Sequence, residues 1–270
     1  MRNLIILGSG RSGTSAVAGL FRRVPGIFYG YETLAASQGN QRGYYECEVA
    51  NAINNVLIRQ MTGTALLDLV PLPLLPGIEN RFPWMHRDTR ALWMARPRNP
   101  LKWRLSYDLA HLIGRIVSHR PFCLKDPRFG FTLDLWRPHL PDDTRFLVVY
   151  RDPERTVGSM LHDSTALYER PLPVTEDWAA RHWSLVYDRI LAERAKDASR
   201  WLVVRNDEVI SGAALPAIEA FAECRIDAGH IDAKFLTAAP SPATSRAWGD
   251  CHRMHERLGE ISDRDLRRLH

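Results

Sequence analysis

The order of apolar and polar positions predicts short buried strands alternating with amphipathic helices. Leu4-Ile5-Ile6-Leu7 is an uninterrupted apolar run, the pattern of a strand covered on both faces. A helix is expected from about Gly13 to Arg23, because Val17, Leu20, Phe21 and Val24 recur at i, i+3, i+4 and i+7. Residues 46–61 and 106–119 are patterned as helices, and a longer helix at 177–196 carries Trp178, Trp183, Val186 and Ile190. Phe122-Cys123-Leu124, Phe146-Leu147-Val148-Val149-Tyr150 and Trp201-Leu202-Val203-Val204-Arg205 read as further strands. The tail from 252 is charged and helical in pattern. Residues 63–104 are rich in Pro, Trp and Arg, have no clean period, and read as an irregular lobe or lid.

This alternation places the chain in the α/β class, with a central, mostly parallel sheet flanked by helices. Two units share one plan. The strand ending at Lys125 runs into Asp126-Pro127, and the strand ending at Arg151 runs into Asp152-Pro153. Asp suits a helix N-cap and Pro the first turn. Each unit therefore sets a cation where a strand's carboxyl end meets a helix start, the edge at which ligands bind in such sheets.

Composition narrows the class. A chain of 270 residues suits one domain, here expected to span 1–270 with an acceptor-binding lobe or lid within 33–104. The formal charge of +5 comes from scattered Arg rather than from a basic run. That distribution fits an anionic small ligand and argues against nucleic acid. The four cysteines, Cys47, Cys123, Cys224 and Cys251, form no C-x-x-C pair, which argues for free thiols and against zinc. No stretch approaches a membrane span or a signal peptide, so a cytoplasmic protein without a membrane partner is expected.

The candidate chemistry starts at Gly8-Ser9-Gly10-Arg11-Ser12-Gly13-Thr14-Ser15, directly after the first strand. Gly8, Gly10 and Gly13 let the backbone curl so that several N–H groups face one anion, at a helix N-terminus that favours negative charge. Arg11 can reach two oxygens at once. Thr14 and Ser15 add hydroxyls in the first helical turn. Gly8, Gly13 and Ser15 keep the spacing of the nucleoside-triphosphate loop G-x-x-x-x-G-K-[ST], but Thr14 stands at the lysine position. The loop therefore looks built for another anion. A dinucleotide reading through G-x-G-x-x-G leaves Arg11 and the hydroxyls without a role, although Glu32 lies at the distance of its acidic residue.

The Arg11-Ser12-Gly13-Thr14-Ser15 run resembles the 5′-phosphosulfate loop of sulfotransferases that use 3′-phosphoadenosine 5′-phosphosulfate (PAPS). Arg151 and Ser159, eight residues apart in Arg151-Asp152-Pro153-Glu154-Arg155-Thr156-Val157-Gly158-Ser159, match that family's ligands for the donor's 3′-phosphate. Leu124-Lys125-Asp126-Pro127-Arg128 and Asn40-Gln41-Arg42-Gly43-Tyr44-Tyr45-Glu46 are similar to segments of a broad bacterial sulfotransferase group. Arg205-Asn206-Asp207-Glu208-Val209 echoes its R-Y-E-D-L, with Asn in place of Tyr. Tyrosylprotein sulfotransferases look similar too. Gly30-Tyr31-Glu32-Thr33 falls in register with their G-E-E-T, whose second Glu is a base. The resemblance covers residues 3–210 and fades beyond, where the family's donor-closing segment is not clearly readable and Arg246 and Arg253 are candidates for that role.

The resemblance implies a P-loop-containing fold and a sulfuryl transferase that needs no metal. Gly10, Arg11, Ser12, Gly13, Thr14, Ser15, Arg151 and Ser159 would bind PAPS and release adenosine 3′,5′-bisphosphate (PAP). Arg11 and Lys125 would meet charge on the leaving oxygen, and Glu32 would serve as base with Glu46 as its rival. The acceptor would be a small-molecule, natural-product or carbohydrate hydroxyl. Phe82, Trp84, Trp93 and Trp103, with Tyr44 and Tyr45, suggest an aromatic-lined pocket for it. His86, His111 and His162 read as ordinary loop or helix histidines. A homodimer is compatible with all of this. The rival readings are a P-loop kinase or NTPase and a non-catalytic, degenerate nucleotide-binding member.

Overall fold

A computed structural model describes residues 1–36, 43–62, 89–97, 105–166, 174–231, 239–241 and 243–269. In chain order the strands are β1 (Leu4–Leu7), β2 (Cys123–Lys125), β3 (Arg145–Tyr150) and β4 (Trp201–Arg205). The helices are α1 (Thr14–Gly19), α2 (Glu48–Thr62), α3 (Tyr107–Val117), α4 (Phe129–Trp136), α5 (Pro153–Ala166), α6 (Glu176–Arg194), α7 (Asn206–Ile210), α8 (Leu215–Ala222) and α9 (Trp248–Leu269).

The strands form one sheet in the order β2-β1-β3-β4, with every pairing parallel. Their unbroken apolar runs follow from that position, since helices cover both faces. Ile5, Leu7, Val148 and Tyr150 point into one core with α2, α4 and α6, while Leu4, Ile6, Leu147 and Val149 point into the other with α1 and α8. The chain leaves β1 towards β2, then crosses back past β1 to reach β3 and β4. The direction reverses between β1 and β3, so the loops after these two strands part and leave a crevice at their carboxyl ends. Ligands bind at such switch points.

Among the described strands β4 lies at an edge, and α9 covers it. Asp265 accepts a hydrogen bond from the Val203 N–H at 3.1 Å and pairs with Arg194 at 2.6 Å, while Arg268 donates to the Trp201 carbonyl at 2.8 Å. Side chains thus occupy ladder positions that another chain could otherwise take.

Two helix starts and stops differ from the sequence pattern. Regular α1 ends at Gly19 rather than near Arg23, and the chain continues through i→i+3 turns to Val24. The carbonyls that would continue the helix are engaged elsewhere: Ala18 accepts from the Tyr29 hydroxyl at 2.7 Å and Leu20 from the Asp227 N–H at 2.7 Å. Leu20 and Phe21 are buried all the same. α4 begins at Phe129, because the Asp126 carboxylate accepts from the Arg128 N–H at 2.8 Å and closes a turn first. Asp152 caps α5 as its sequence predicts, accepting from the Arg155 N–H at 2.9 Å.

Candidate functional site

The loop after β1 is folded by backbone geometry and pinned from two sides. Gly8 (φ 155°), Arg11 (φ 68°) and Gly13 (φ 96°) occupy the left-handed region, so the chain doubles back tightly. The Ser12 hydroxyl donates to the Ser9 carbonyl at 2.6 Å and so shapes the loop. The Tyr187 hydroxyl on α6 accepts from the Ser9 N–H at 3.3 Å and donates to the Val149 carbonyl of β3 at 2.9 Å. Gly10 has a different reason from the one its spacing suggests. It is not left-handed, and a Cβ there would run into the Trp93 ring. A Cβ on Gly13 would strike the buried amide of Asn206 at the start of α7. Thr14 and Ser15 open α1 as expected, and among the described residues neither hydroxyl is engaged.

Arg11 reaches across the crevice to α5. Its Nε donates to the Ser159 hydroxyl at 2.9 Å and lies 2.9 Å from the Asp163 carboxylate. Sequence reasoning missed Asp163, although it sits one turn beyond Ser159 and so shares its face. Burial pushes the Asp163 carboxyl up, and Arg11 and His162 pull it down.

Arg151, at the end of β3, is in a different state. It is 6% exposed, and among the described residues it makes no ion pair or hydrogen bond. Burial, then the neighbouring charges of Arg155 and Arg11, push its guanidinium below the ordinary value, against partial support from Asp207 and Asp152. A buried cation without a partner is costly, and an anion brought to this crevice would relieve the cost.

Lys125 ends β2 inside a buried polar network. Its Nζ lies 2.6 Å from Glu46 Oε1, and Glu46 Oε2 accepts from Asn51 at 2.9 Å. Arg128 pairs with Asp126 at 3.0 Å and stands 3.9 Å from Glu46. Asp126 also accepts from Asn54 at 3.1 Å, and the Asn54 carbonyl oxygen accepts from Thr132 at 2.8 Å and from Trp136 at 2.9 Å. Two carboxylates thus balance two cations, tied to α2 and α4. Glu32 is exposed, and it is held beside Glu46 by backbone pairing: Glu48 donates to the Glu32 carbonyl at 3.0 Å and Leu34 to the Glu46 carbonyl at 2.9 Å.

Of the aromatic residues suggested for the acceptor, Phe82, Trp84 and Trp103 lie outside the described residues, as do His86 and Asn40-Gln41-Arg42. His111 and His162 are exposed. Arg205 turns to the Tyr150 hydroxyl at 3.1 Å. Among the described residues no group of metal-ligating side chains assembles, and no helix is long and apolar enough to cross a membrane.

The segment before α9 is strapped to α5 and α6. Ser241 N–H donates to the Glu154 carbonyl at 2.9 Å, and a Cβ on Gly158 would collide with the Ala239 carbonyl. The Glu176 carboxylate accepts from Ser241 at 2.5 Å, Thr244 at 2.6 Å and Trp248 at 3.2 Å. Burial opposes its ionisation, but these bonds hold its pKa down to about 2. A depressed folded pKa gives stability that is present above the unfolded value of 4.5 and lost as pH falls towards 2. The melting-temperature difference between wild type and Glu176→Gln should therefore be constant above that range and shrink below it. A difference independent of pH would show that the carboxylate charge does not hold the strap. Arg246 is exposed within this strap, and Arg253 pairs with Asp250 on its own helix.

Residues 3–215 match the model of the sulfotransferase family. Among curated proteins none matches the chain. The chain is structurally similar to the sulfotransferase domain of the Synechococcus PCC 7002 olefin synthase, at 16% identity over 95% of this chain and 94% of that one, with a TM-score of 0.53. It is also similar to the sulfotransferase domain of the curacin biosynthetic pathway, at 14% identity over 96% of this chain and 98% of that one, with a TM-score of 0.54. These likenesses agree with the α/β, P-loop-like fold.

Proposed function

This chain belongs to the sulfotransferase family, and we propose that it moves a sulfuryl group from PAPS to a hydroxyl of a small-molecule, natural-product or carbohydrate acceptor. The observation that carries the donor assignment is Arg151, a buried guanidinium without a protein partner among the described residues, at the switch point of the sheet. PAPS brings phosphate to both ends of a nucleoside. Arg151 and Ser159 would take its 3′-phosphate. The Gly10–Ser15 backbone, with Arg11, Thr14 and Ser15, would take the 5′-phosphosulfate.

In the reaction the acceptor oxygen attacks sulfur, and the bond from sulfur to the oxygen of the 5′-phosphate breaks. That oxygen leaves with the electron pair, and the acceptor proton goes to a carboxylate. As in phosphoryl transfer, the protein's part is positioning and charge stabilisation. Arg11 and Lys125 are the cations for the leaving oxygen. Glu32 is the base we assign, because both oxygens of its rival Glu46 are committed to Lys125 and Asn51.

Ligand-induced stabilisation tests the donor class. A ligand at ~100 times its dissociation constant adds about 2.7 kcal/mol. PAP should raise the melting temperature accordingly, and ATP with magnesium should not. The reverse pattern, seen in the same thermal-shift assay, would point to a P-loop kinase or NTPase. The acceptor is then found by presenting hydroxylated compounds with PAPS radiolabelled in its sulfuryl group.

A further inference from the structure

The contact between Gly10 and Trp93 joins two parts of the chain that the donor reading treats separately. Trp93 lies in a 3-10 turn, Thr89–Met94, within the stretch suggested for the acceptor. Its neighbours Leu92, Met94 and Ala95 are buried, so the turn is anchored in the core. The ring is half-buried and packs on the Cα of Gly10, the residue before Arg11. Behind it stands His182 of α6, edge-on at 6.4 Å. His182 is fully buried, and burial, with the nearby charge of Arg96, lowers its pKa to about 3. The Trp93 ring therefore has a neutral, rigid backing on one side and the loop on another.

We propose that Trp93 is a positioning residue whose ring walls the donor loop beside Arg11, keeping water from the sulfuryl group until an acceptor hydroxyl takes its place. The proposal rests on the assignment of Gly10–Ser15 to the phosphosulfate. A large apolar ring at that point removes water and strengthens the field of the adjacent guanidinium. It also accounts for glycine at position 10, where the backbone angle makes no demand for one.

The test needs no acceptor. PAPS labelled in its sulfuryl group is incubated with the protein, and released sulfate is measured. In this side reaction water oxygen attacks sulfur, the bond to the 5′-phosphate breaks, and sulfate and PAP result. Trp93→Ala should raise sulfate release about tenfold while PAP affinity changes by less than about threefold, and Trp93→Phe should restore most of the protection. Gly10→Ala displaces the ring and should also raise sulfate release per bound donor. The double variant Gly10→Ala/Trp93→Ala should then leak no faster than Trp93→Ala alone, a non-additivity expected only of residues acting through one contact. Unchanged or slower release in Trp93→Ala, with PAP binding intact, overturns the proposal and leaves the donor assignment standing. A wild-type protein that binds no PAP overturns the donor assignment, and the proposal with it.

Discussion

Replacing Arg151 with methionine should remove most or all of the stabilisation by PAP and leave the ligand-free protein at least as stable as wild type. The two effects have one cause. Arg151 is buried at the end of β3, and among the described residues no carboxylate pairs with it. Burial, then the charges of Arg155 and Arg11, lowers its pKa against partial support from Asp207 and Asp152. In the ligand-free protein that charge is a liability, and methionine fills similar volume without it. In the complex the same charge would be met by phosphate. Truncating one partner of a buried, hydrogen-bonded charge pair costs about 2–5 kcal/mol of binding, enough to remove most or all of the about 2.7 kcal/mol expected at ~100 times the wild-type dissociation constant. Melting curves of both proteins with and without PAP check this. If Arg151→Met melts well below wild type yet keeps its response to PAP, the guanidinium is a structural element and the 3′-phosphate assignment is wrong.

Much of this arrangement is legible in the chain's own pattern. The apolar runs ending at Leu7, Lys125, Tyr150 and Arg205 mark the four described strands, because a parallel sheet covered on both faces leaves no room for alternation. The strand-end cations Lys125 and Arg151 follow from the same register. Contacts between residues far apart in the chain are not legible in this way. Nothing local to Glu46 says that it faces Lys125, and nothing near Gly10 announces Trp93. The end of α1 departs from its periodicity because its carbonyls bond to Tyr29 and Asp227, which no local pattern encodes. Asp163 has a usable signal, its one-turn spacing from Ser159, but a carboxylate beside an expected anion site invites dismissal. Its presence next to Arg11 means that an incoming anion must share or displace an internal counter-ion.

The two glutamates should separate cleanly, in stability and in turnover. Glu46→Ala is expected to destabilise the fold by about 3–5 kcal/mol, the range for leaving a buried charge without its partner. Lys125 loses its 2.6 Å contact and Arg128 its nearby counter-charge, with both side chains at most 3% exposed. Adding Lys125→Met should recover most of the loss, since it removes the stranded ammonium. Glu32→Ala should change stability by less than about 0.5 kcal/mol, because the side chain is exposed. Its effect belongs to the chemistry: a loss of about 10²–10⁴-fold in kcat with the identified acceptor, and unaltered PAP binding. Denaturant titration measures the first pair, and steady-state turnover the second. A stable Glu46→Ala protein that has lost turnover, beside a fully active Glu32→Ala, would exchange the roles and make Glu46 the base. The geometry argues against that exchange. A carboxylate with one oxygen on an ammonium and the other on an amide is committed as an anchor. Glu32, tied to it among the described residues through the backbone, would keep its carboxylate available to a hydroxyl that arrives with the acceptor.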